Sequence, residues 1–298
     1  MVKRILLKYL RKHPLLNGFI LTFLNKAYPV FLDYPVQSQP RYGYGKPPHP
    51  KLHEIINRDR EVYRDYLSRF LEYKDYFTQI SKVETDSRST EPAWINDFLP
   101  GLDSVAIYGF LCLNSPQRYF EIGSGNSTKF ARKAIINHNL KTKITSFDPH
   151  PRDKINLICD NIFRQPIEDT NLAIFDKLEA GDILFVDNSH RVFMNSDATV
   201  VFLDILPKLK PGVFVGFHDI LLPLDYPPKY EYGRERYFSE QYLLAAYLLA
   251  EGDKFEIILP SCFISHDPEL SGIMSPLWED PKLKGVETHG SSFWIKME

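Results

Sequence analysis

Residues 119–128, YFEIGSGNST, constrain this chain more than any other stretch. They read as a buried strand that runs into a glycine turn and then opens a helix. Phe120 and Ile122 suit a half-buried strand, and Glu121 stands two residues before the first glycine. Gly123 and Gly125 lack a Cβ, so the backbone can turn sharply there and lie close to a ligand. Asn126 or Ser127 can cap the helix that follows. Its apolar side, Phe130, Ala131, Ala134 and Ile135, keeps a helical period. A nucleotide-like ligand at this turn would meet bare backbone and helix-terminal N–H groups. The plainer reading is a tight strand–helix turn with no ligand.

The turn departs from the G-x-G-x-x-G dinucleotide fingerprint, because Thr128 stands where the third glycine or an alanine belongs. Asp148 closes the next apolar run, residues 144–148, where an acid is placed to accept hydrogen bonds from ribose hydroxyls. The glycine pair and Asp148 together point to a nucleoside-bearing cofactor.

After residue 118, strand and helix patterns alternate. Strands are expected near 118–123, 143–148, 161–164, 182–187, 212–218, 255–259 and 291–296. Helices are expected near 127–137, 151–159, 196–206 and 239–250. Such alternation predicts an α/β fold, a Rossmann-like seven-stranded, mostly parallel sheet with helices on both faces. Ligands then sit at the carboxyl ends of the strands, near the switch in strand order. The N-terminal part reads as a helical and Pro/Tyr-rich extension over residues 1–92, ahead of an α/β domain over 93–298. Within it, residues 29–50 are rich in Pro and Tyr and predict an irregular segment. Residues 54–80 predict one helix, with Ile55, Val62, Tyr66, Phe70, Tyr73, Phe77 and Ile80 on its apolar stripe. Residues 81–92 are polar and aperiodic, a loop, and a further helix is expected near 103–111.

The chain has 298 residues with Lys+Arg 36 and Asp+Glu 38, a net charge of −2, which gives no electrostatic case for nucleic acid. Cys112, Cys159 and Cys262 are odd in number and widely spaced. They form no metal or disulfide pattern and predict a reducing, cytoplasmic setting. No run approaches the roughly 20 apolar residues of a membrane span. Lys3, Arg4, Lys8, Arg11 and Lys12 precede the apolar run 15–24, a pattern shared by signal peptides and basic interfacial helices. Without a small-residue cleavage site, a helix packed on the main domain is expected.

Two strand ends carry the polar chemistry. Asp187 ends the apolar run 183–187, and His218 and Asp219 end the run 213–219. As neighbouring strands their backbones lie about 4.8 Å apart, so Asp187, His190, His218 and Asp219 would crowd one crevice. Buried carboxylates there need a cation, a hydrogen-bond network or a substrate. Beyond Asp219, residues 221–238 carry many Tyr and Pro. They predict either a lid and acceptor wall or a loop packed on the Pro/Tyr-rich N-terminal segment. The helix at 240–250 is expected to be plain packing.

Several of these stretches resemble one family. Residues 121–128 resemble motif I of the class I S-adenosylmethionine-dependent methyltransferases, and 146–150 resemble their acidic motif II. Residues 181–187 resemble motif IV, 209–219 the following Pro-Gly strand, and 290–295 the last antiparallel strand. The resemblance covers roughly residues 100 to 298. It implies that Gly123, Ser124 and Gly125 face the methionine and ribose of S-adenosyl-L-methionine, with Ser127 at the helix start and Asp148 on the ribose hydroxyls. Glu121 would support the turn or reach the methionine ammonium through water.

The Asp187–His190 spacing with His218-Asp219 resembles the metal-dependent macrolide-sugar O-methyltransferases. That resemblance implies His190 as base, with Asp187, Asp219 and His218 toward a divalent cation, Mg or Mn. An imidazole at His218 stands where an acid is usual, and magnesium favours oxygen ligands. The expected activity is O-methylation of a hydroxyl on a small molecule or sugar. Two rivals are an NAD-dependent Rossmann oxidoreductase and a non-catalytic protein that keeps the fold. The sequence leaves a homo-oligomer open.

Overall fold

The computed structural model describes residues 23, 30, 39–84, 86, 89–151, 154–228, 230, 237–251 and 254–298. The chain divides into two units, residues 1–39 and 40–298. In the first, only positions 23, 30 and 39 are described, so the basic and apolar stretches at 3–24 lie outside the described residues.

The second unit holds a seven-stranded sheet. Its strands are β3 (Arg118–Ile122), β4 (Lys143–Phe147), β5 (Asn161–Phe163), β6 (Ile183–Val186), β7 (Phe214–Phe217), β8 (Phe255–Pro260) and β9 (Phe293–Met297). They run in the order β5-β4-β3-β6-β7-β9-β8, parallel except for β9, which is antiparallel to both neighbours. This is the Rossmann-like α/β architecture that the alternation predicts. β6 is apolar at every position and fully buried, as a strand covered on both faces must be.

Among the described residues, the stretch 50–77 forms α1 (Pro50–Asn57), α2 (Arg60–Leu71) and α3 (Lys74–Phe77). One helix over 54–80 was expected. Instead the chain breaks at Asp59 (ψ 31°) and Tyr73 (ψ 9°), and each piece turns a separate apolar set inward. The expected loop over 81–92 is also corrected. Ser81–Val83 (β1) pairs in parallel with Ala93–Ile95 (β2), a long-range pairing that local polarity cannot announce.

Helix α4 (Gly101–Asn114) is buried at every position from Gly101 to Leu111, so it is a layer of the core. Phe110 touches Trp294 of β9 at 4.6 Å and Phe70 of α2 at 5.2 Å. Gly109 permits that sandwich, because a Cβ there would lie 2.2 Å from the Phe70 ring. Helix α5 (Asn126–Asn137) buries Phe130, Ala131, Ala134 and Ile135, the stripe expected of it.

Three further differences have local causes. Where a helix over 151–159 was expected, the described residues hold only a 3₁₀ turn at Ile155–Leu157, after Pro149 and Pro151. The helix expected over 196–206 starts as α6 (Asp197–Val200), capped by Ser196. It widens into a π-turn over Val201–Ile205 and ends in a 3₁₀ turn at Pro207. The helix after the aromatic loop is α7 (Glu240–Leu249). Between β8 and β9 lie α8 (Ser261–His266), α9 (Pro268–Ile273) and α10 (Ser275–Trp278), which no periodicity announced.

The register levels the strand ends. Ile122 pairs with both Phe147 and Val186, and Val186 pairs with Phe217. The next residues, Gly123, Asp148, Asp187 and His218, therefore stand in one row at the carboxyl edge. Among the described residues no helix is long and apolar enough to cross a membrane.

Candidate active site

The glycine turn is fixed from below. Gly123 has φ +80°, and a Cβ there would fall 1.9 Å from the Asp187 carbonyl oxygen. Only glycine fits where the β3 turn meets the β6 end. Gly125 is extended, and a Cβ there would meet open space.

Thr128 stands at the third-glycine position and ties the turn to β3 through hydrogen bonds. Its hydroxyl accepts from the Gly125 N–H at 3.1 Å and donates to Glu121 Oε2. Glu121 is fully buried, and its Oε1 accepts from the Tyr119 hydroxyl at 3.2 Å. Burial pushes its carboxyl up to about 8, against the donated bonds of Ser127 and Thr128. Glu121 and the buried Ser127 thus brace the turn from beneath. On the upper side, Ser124 Oγ donates to Asp148 Oδ2 at 2.8 Å, and the His150 N–H donates to Oδ1 at 2.8 Å. Asp148 is half-buried beside the open face of the turn.

The second half of the site gathers around Asp187. His190 Nε2 lies 3.2 Å from Asp187 Oδ1 and 3.8 Å from Asp219 Oδ2. His218 Nδ1 lies 3.3 Å from the same Asp187 oxygen. Both imidazoles are buried. Burial alone would lower their pKa values, but the facing carboxylates outweigh it, holding His190 up at about 10 and His218 at about 9. Burial likewise works against the Asp187 charge, yet the two imidazoles hold its carboxyl far below the usual range.

Two carboxylates that sequence reading left out complete this group. Glu240, the first residue of α7, is fully buried and meets His190 Nδ1 at 2.9 Å. Asp103, in the first turn of α4, is fully buried and stands 3.7 Å from His218 Nε2. It also accepts from the N–H groups of Ser291 and Ser292 at 2.8 and 2.9 Å. The available signal was a lone acid opening an otherwise apolar helix. Glu240 is the single charge in residues 240–250.

All the expected site residues thus stand at one sheet edge, and donor atoms of Asp187, His190 and His218 lie within 4.8 Å of one another. Two nitrogens and one oxygen suit a divalent transition metal better than magnesium. Asp219 adjoins this group through His190 and accepts from the Tyr230 hydroxyl at 3.4 Å. Arg191 leaves the crevice to lie over the Phe238 ring at 5.5 Å, and Asn195 is exposed.

The aromatic segment is fastened at its start. Asp225 Oδ2 accepts from the Arg41 and Tyr42 N–H groups, and the Pro223 carbonyl accepts from the His49 N–H at 3.0 Å. This is the packing on the Pro/Tyr-rich segment that the sequence offered as one of two readings. Farther on, Phe238 lies 4.5 Å from the His190 ring and 5.6 Å from Tyr230, an aromatic wall beside the crevice. Residues 229 and 231–236 lie outside the described residues.

A methyltransferase-domain family model matches residues 120–220, which span the glycine turn, Asp148, Asp187, His190, His218 and Asp219. A relative from Archaeoglobus fulgidus, an uncharacterized protein, is 24% identical over 160 residues, 46% of this chain and 72% of its own length. Among solved structures, the O-methyltransferase TomG from Streptomyces achromogenes, in complex with SAM, is 12% identical. Its TM-score is 0.41, over 76% of this chain and 95% of that one. The O-methyltransferase from Bacillus cereus, in complex with SAH, is 11% identical at a TM-score of 0.33, over 78% and 90%. The family model thus covers most of β3 and all of β4 to β7, so residues 120–220 match a methyltransferase domain and lie on a Rossmann-like sheet.

Proposed function

We propose that the protein transfers a methyl group from S-adenosylmethionine to a hydroxyl of a small-molecule or saccharide acceptor, with His190 as the base. The observation that carries this is the adjacency of cradle and base. The Gly123 turn touches the Asp187 backbone, and Asp187 holds His190 Nε2 at 3.2 Å. A cofactor lying on Gly123, Ser124 and Gly125, with its ribose toward Asp148, would have its sulfonium close to that imidazole. Glu121 and Ser127 act under the turn.

The transfer is an in-line displacement. The acceptor oxygen bonds to the methyl carbon, the sulfur–methyl bond breaks, and its electron pair stays on sulfur, leaving S-adenosylhomocysteine. The acceptor proton passes to His190 Nε2, a step typically worth 10²–10⁴-fold in rate. His190 must be neutral to accept it, yet its carboxylate neighbours favour the charged form. The positive sulfonium arriving beside Asp187 opposes that preference and helps release the proton.

With His190 kept as the base, a divalent cation would have to use the remaining donors. Asp187 and His218, with Asp219 beside them, would hold it, and it would lower the pKa of the acceptor hydroxyl. The aromatic wall of Tyr230 and Phe238 suits an acceptor with a sugar ring or another apolar face.

Thr128, bound to both Gly125 and Glu121, speaks against the nicotinamide reading, which needs close helix–strand packing at that position. Calorimetric titration of the chelator-treated protein with S-adenosylmethionine, S-adenosylhomocysteine and NAD tests the assignment. Micromolar binding of the two adenosyl-sulfur ligands, with none for NAD, is expected. Binding of NAD alone, or of nothing, would sink it.

A further inference from the structure

The base proposed above does not stand in a relaxed backbone. His190 has φ +59°, a left-handed conformation that a residue with a Cβ adopts only at an energetic cost. Something must hold it there, and α7 does. The His190 carbonyl accepts from the Ser239 and Glu240 N–H groups at 2.8 and 3.2 Å. The His190 N–H donates to Asn188 Oδ1 at 2.7 Å. Asn188 Nδ2 donates to Glu240 Oε1 at 2.9 Å, and Glu240 Oε2 meets His190 Nδ1 at 2.9 Å. The three side chains close a ring of hydrogen bonds that uses both oxygens of a fully buried carboxylate.

We infer that Glu240 is the positioning residue of the base: it holds the proton on His190 Nδ1 and leaves Nε2 as the one ring nitrogen facing the crevice. The inference deepens the O-methyltransfer reading and rests on it for its kinetic consequence. A buried carboxylate can only accept, so its partner nitrogen must carry the hydrogen. Asp187 faces Nε2 at 3.2 Å, so the charged imidazole carries a hydrogen there too; when His190 gives up one proton, Glu240 keeps the other on Nδ1 and the lone pair appears on Nε2, where an acceptor proton would arrive. Glutamine in place of Glu240 could donate as readily as accept, and the choice of tautomer would be lost. Removal of the carboxylate behind a histidine costs about 10- to 100-fold where the histidine binds metal and up to about 10⁴-fold where it acts as a base.

The placement also ties the base to the acceptor side. Ser239 and Glu240 end the aromatic segment that begins after β7, and Ser239 Oγ accepts from the Val192 N–H at 2.9 Å. Movement of that segment is therefore movement of the His190 support. Nothing in residues 240–250 alone would reveal this, because the helix reads as simple packing.

The test compares wild type with Glu240→Gln and Glu240→Asp, using His190→Gln to assign the His190 ring signals in long-range ¹H–¹⁵N spectra. The expected wild-type spectrum shows a protected, strongly deshielded Nδ1–H for His190. Glu240→Gln should lose that signal, keep S-adenosylmethionine affinity within about threefold by calorimetry, and lose at least about 10-fold in kcat with little change in KM. The hydroxyl acceptor for the kinetic arm is whichever compound the wild type methylates in a panel of simple glycosides and phenols. Glu240→Asp should recover part of the loss. If Glu240→Gln does not fold, Asn188→Ala breaks the same ring from the other side and should shift the same signal. An unaltered His190 signal in these variants, or an unaltered kcat, overturns the inference. Failure of the wild type to bind S-adenosylmethionine would instead count against the methyltransferase reading, since the ring spectrum needs no cofactor.

Discussion

The glycine turn proposed as the cofactor cradle and the polar cluster proposed to hold the base sit side by side on one sheet edge, but they are built in opposite ways. The cradle is local: Glu121, Gly123, Ser124, Gly125, Ser127 and Thr128 fall within eight residues, and its bonds are mostly backbone and hydroxyl contacts across one turn. The cluster is assembled from five separated places. Asp187 and His190 follow β6, His218 and Asp219 follow β7, Glu240 opens α7, Asp103 opens α4, and Ser291 precedes β9. A binding surface can be made by one turn, because glycine geometry and helix N–H groups suffice. A tuned base cannot, because its pKa and tautomer depend on charges that only the fold brings within hydrogen-bond reach.

If that contrast is sound, damage to the cradle should appear as lost stability or cofactor affinity, and damage to the cluster as lost turnover. The largest effect is expected at their junction. Gly123→Ala adds a Cβ at φ +80° and 1.9 Å from the Asp187 carbonyl, so it should cost more than about 3 kcal/mol and abolish cofactor binding. Thermal unfolding and calorimetry together read this, and a variant of near wild-type melting would refute the junction.

Next comes His190→Ala, with a loss of at least about a hundredfold in kcat and a cofactor affinity close to wild type. Equal loss of both would erase the division between the two regions.

The pH dependence sharpens it further. The base works when neutral, and the free protein holds His190 up at about 10. The kcat/KM for S-adenosylmethionine should therefore climb from pH 7 toward pH 9 or beyond. A rise complete by pH 7, as for an unperturbed histidine, would mean that Asp187 and Glu240 do not act on it.

Thr128→Val should cost about 1–3 kcal/mol of stability, since it strips a donor from buried Glu121 and an acceptor from the Gly125 N–H. Because the folded Glu121 carboxyl is raised to about 8, its ionisation weakens the fold as pH rises from about 4.5 through 8. Loss of the Thr128 donor raises that carboxyl further, so the Thr128→Val deficit should stay level across that window and widen above about pH 8 in denaturant titrations.

The smallest stability effect belongs to Gly125→Ala, within about 0.5 kcal/mol, as the backbone is extended and the new methyl meets open space. That space is where the cofactor would lie, so affinity should fall while melting does not. Unchanged affinity would argue that the cofactor does not touch Gly125.

Much of the architecture was legible because it is written in short-range pattern. The alternating apolar runs gave the strands, and the stripe of Phe130, Ala131, Ala134 and Ile135 gave α5. Less legible were elements that depend on distant partners. β1 and β2 are three-residue strands that exist through each other. The single helix read over 54–80 divides into three because each piece faces a different part of the core. In the site, Asp187, His190, His218 and Asp219 stood out as polar groups at strand ends, whereas Glu240 and Asp103 looked like ordinary first-turn acids. Strand adjacency anticipated Asp187 and Asp219 beside His190, but not Glu240, which arrives from α7.

By itself the sequence determined that a parallel α/β sheet would form, that the chain would turn on Gly123, and that acids and imidazoles would collect at one edge. These follow from side-chain period and backbone permission, which act over a few residues. Only the tertiary structure decided which imidazole nitrogen faces the crevice, which carboxylates hold it and how far its proton affinity rises. Those properties are electrostatic and directional, and they depend on charges from distant parts of the chain meeting within about 3–4 Å in a buried place.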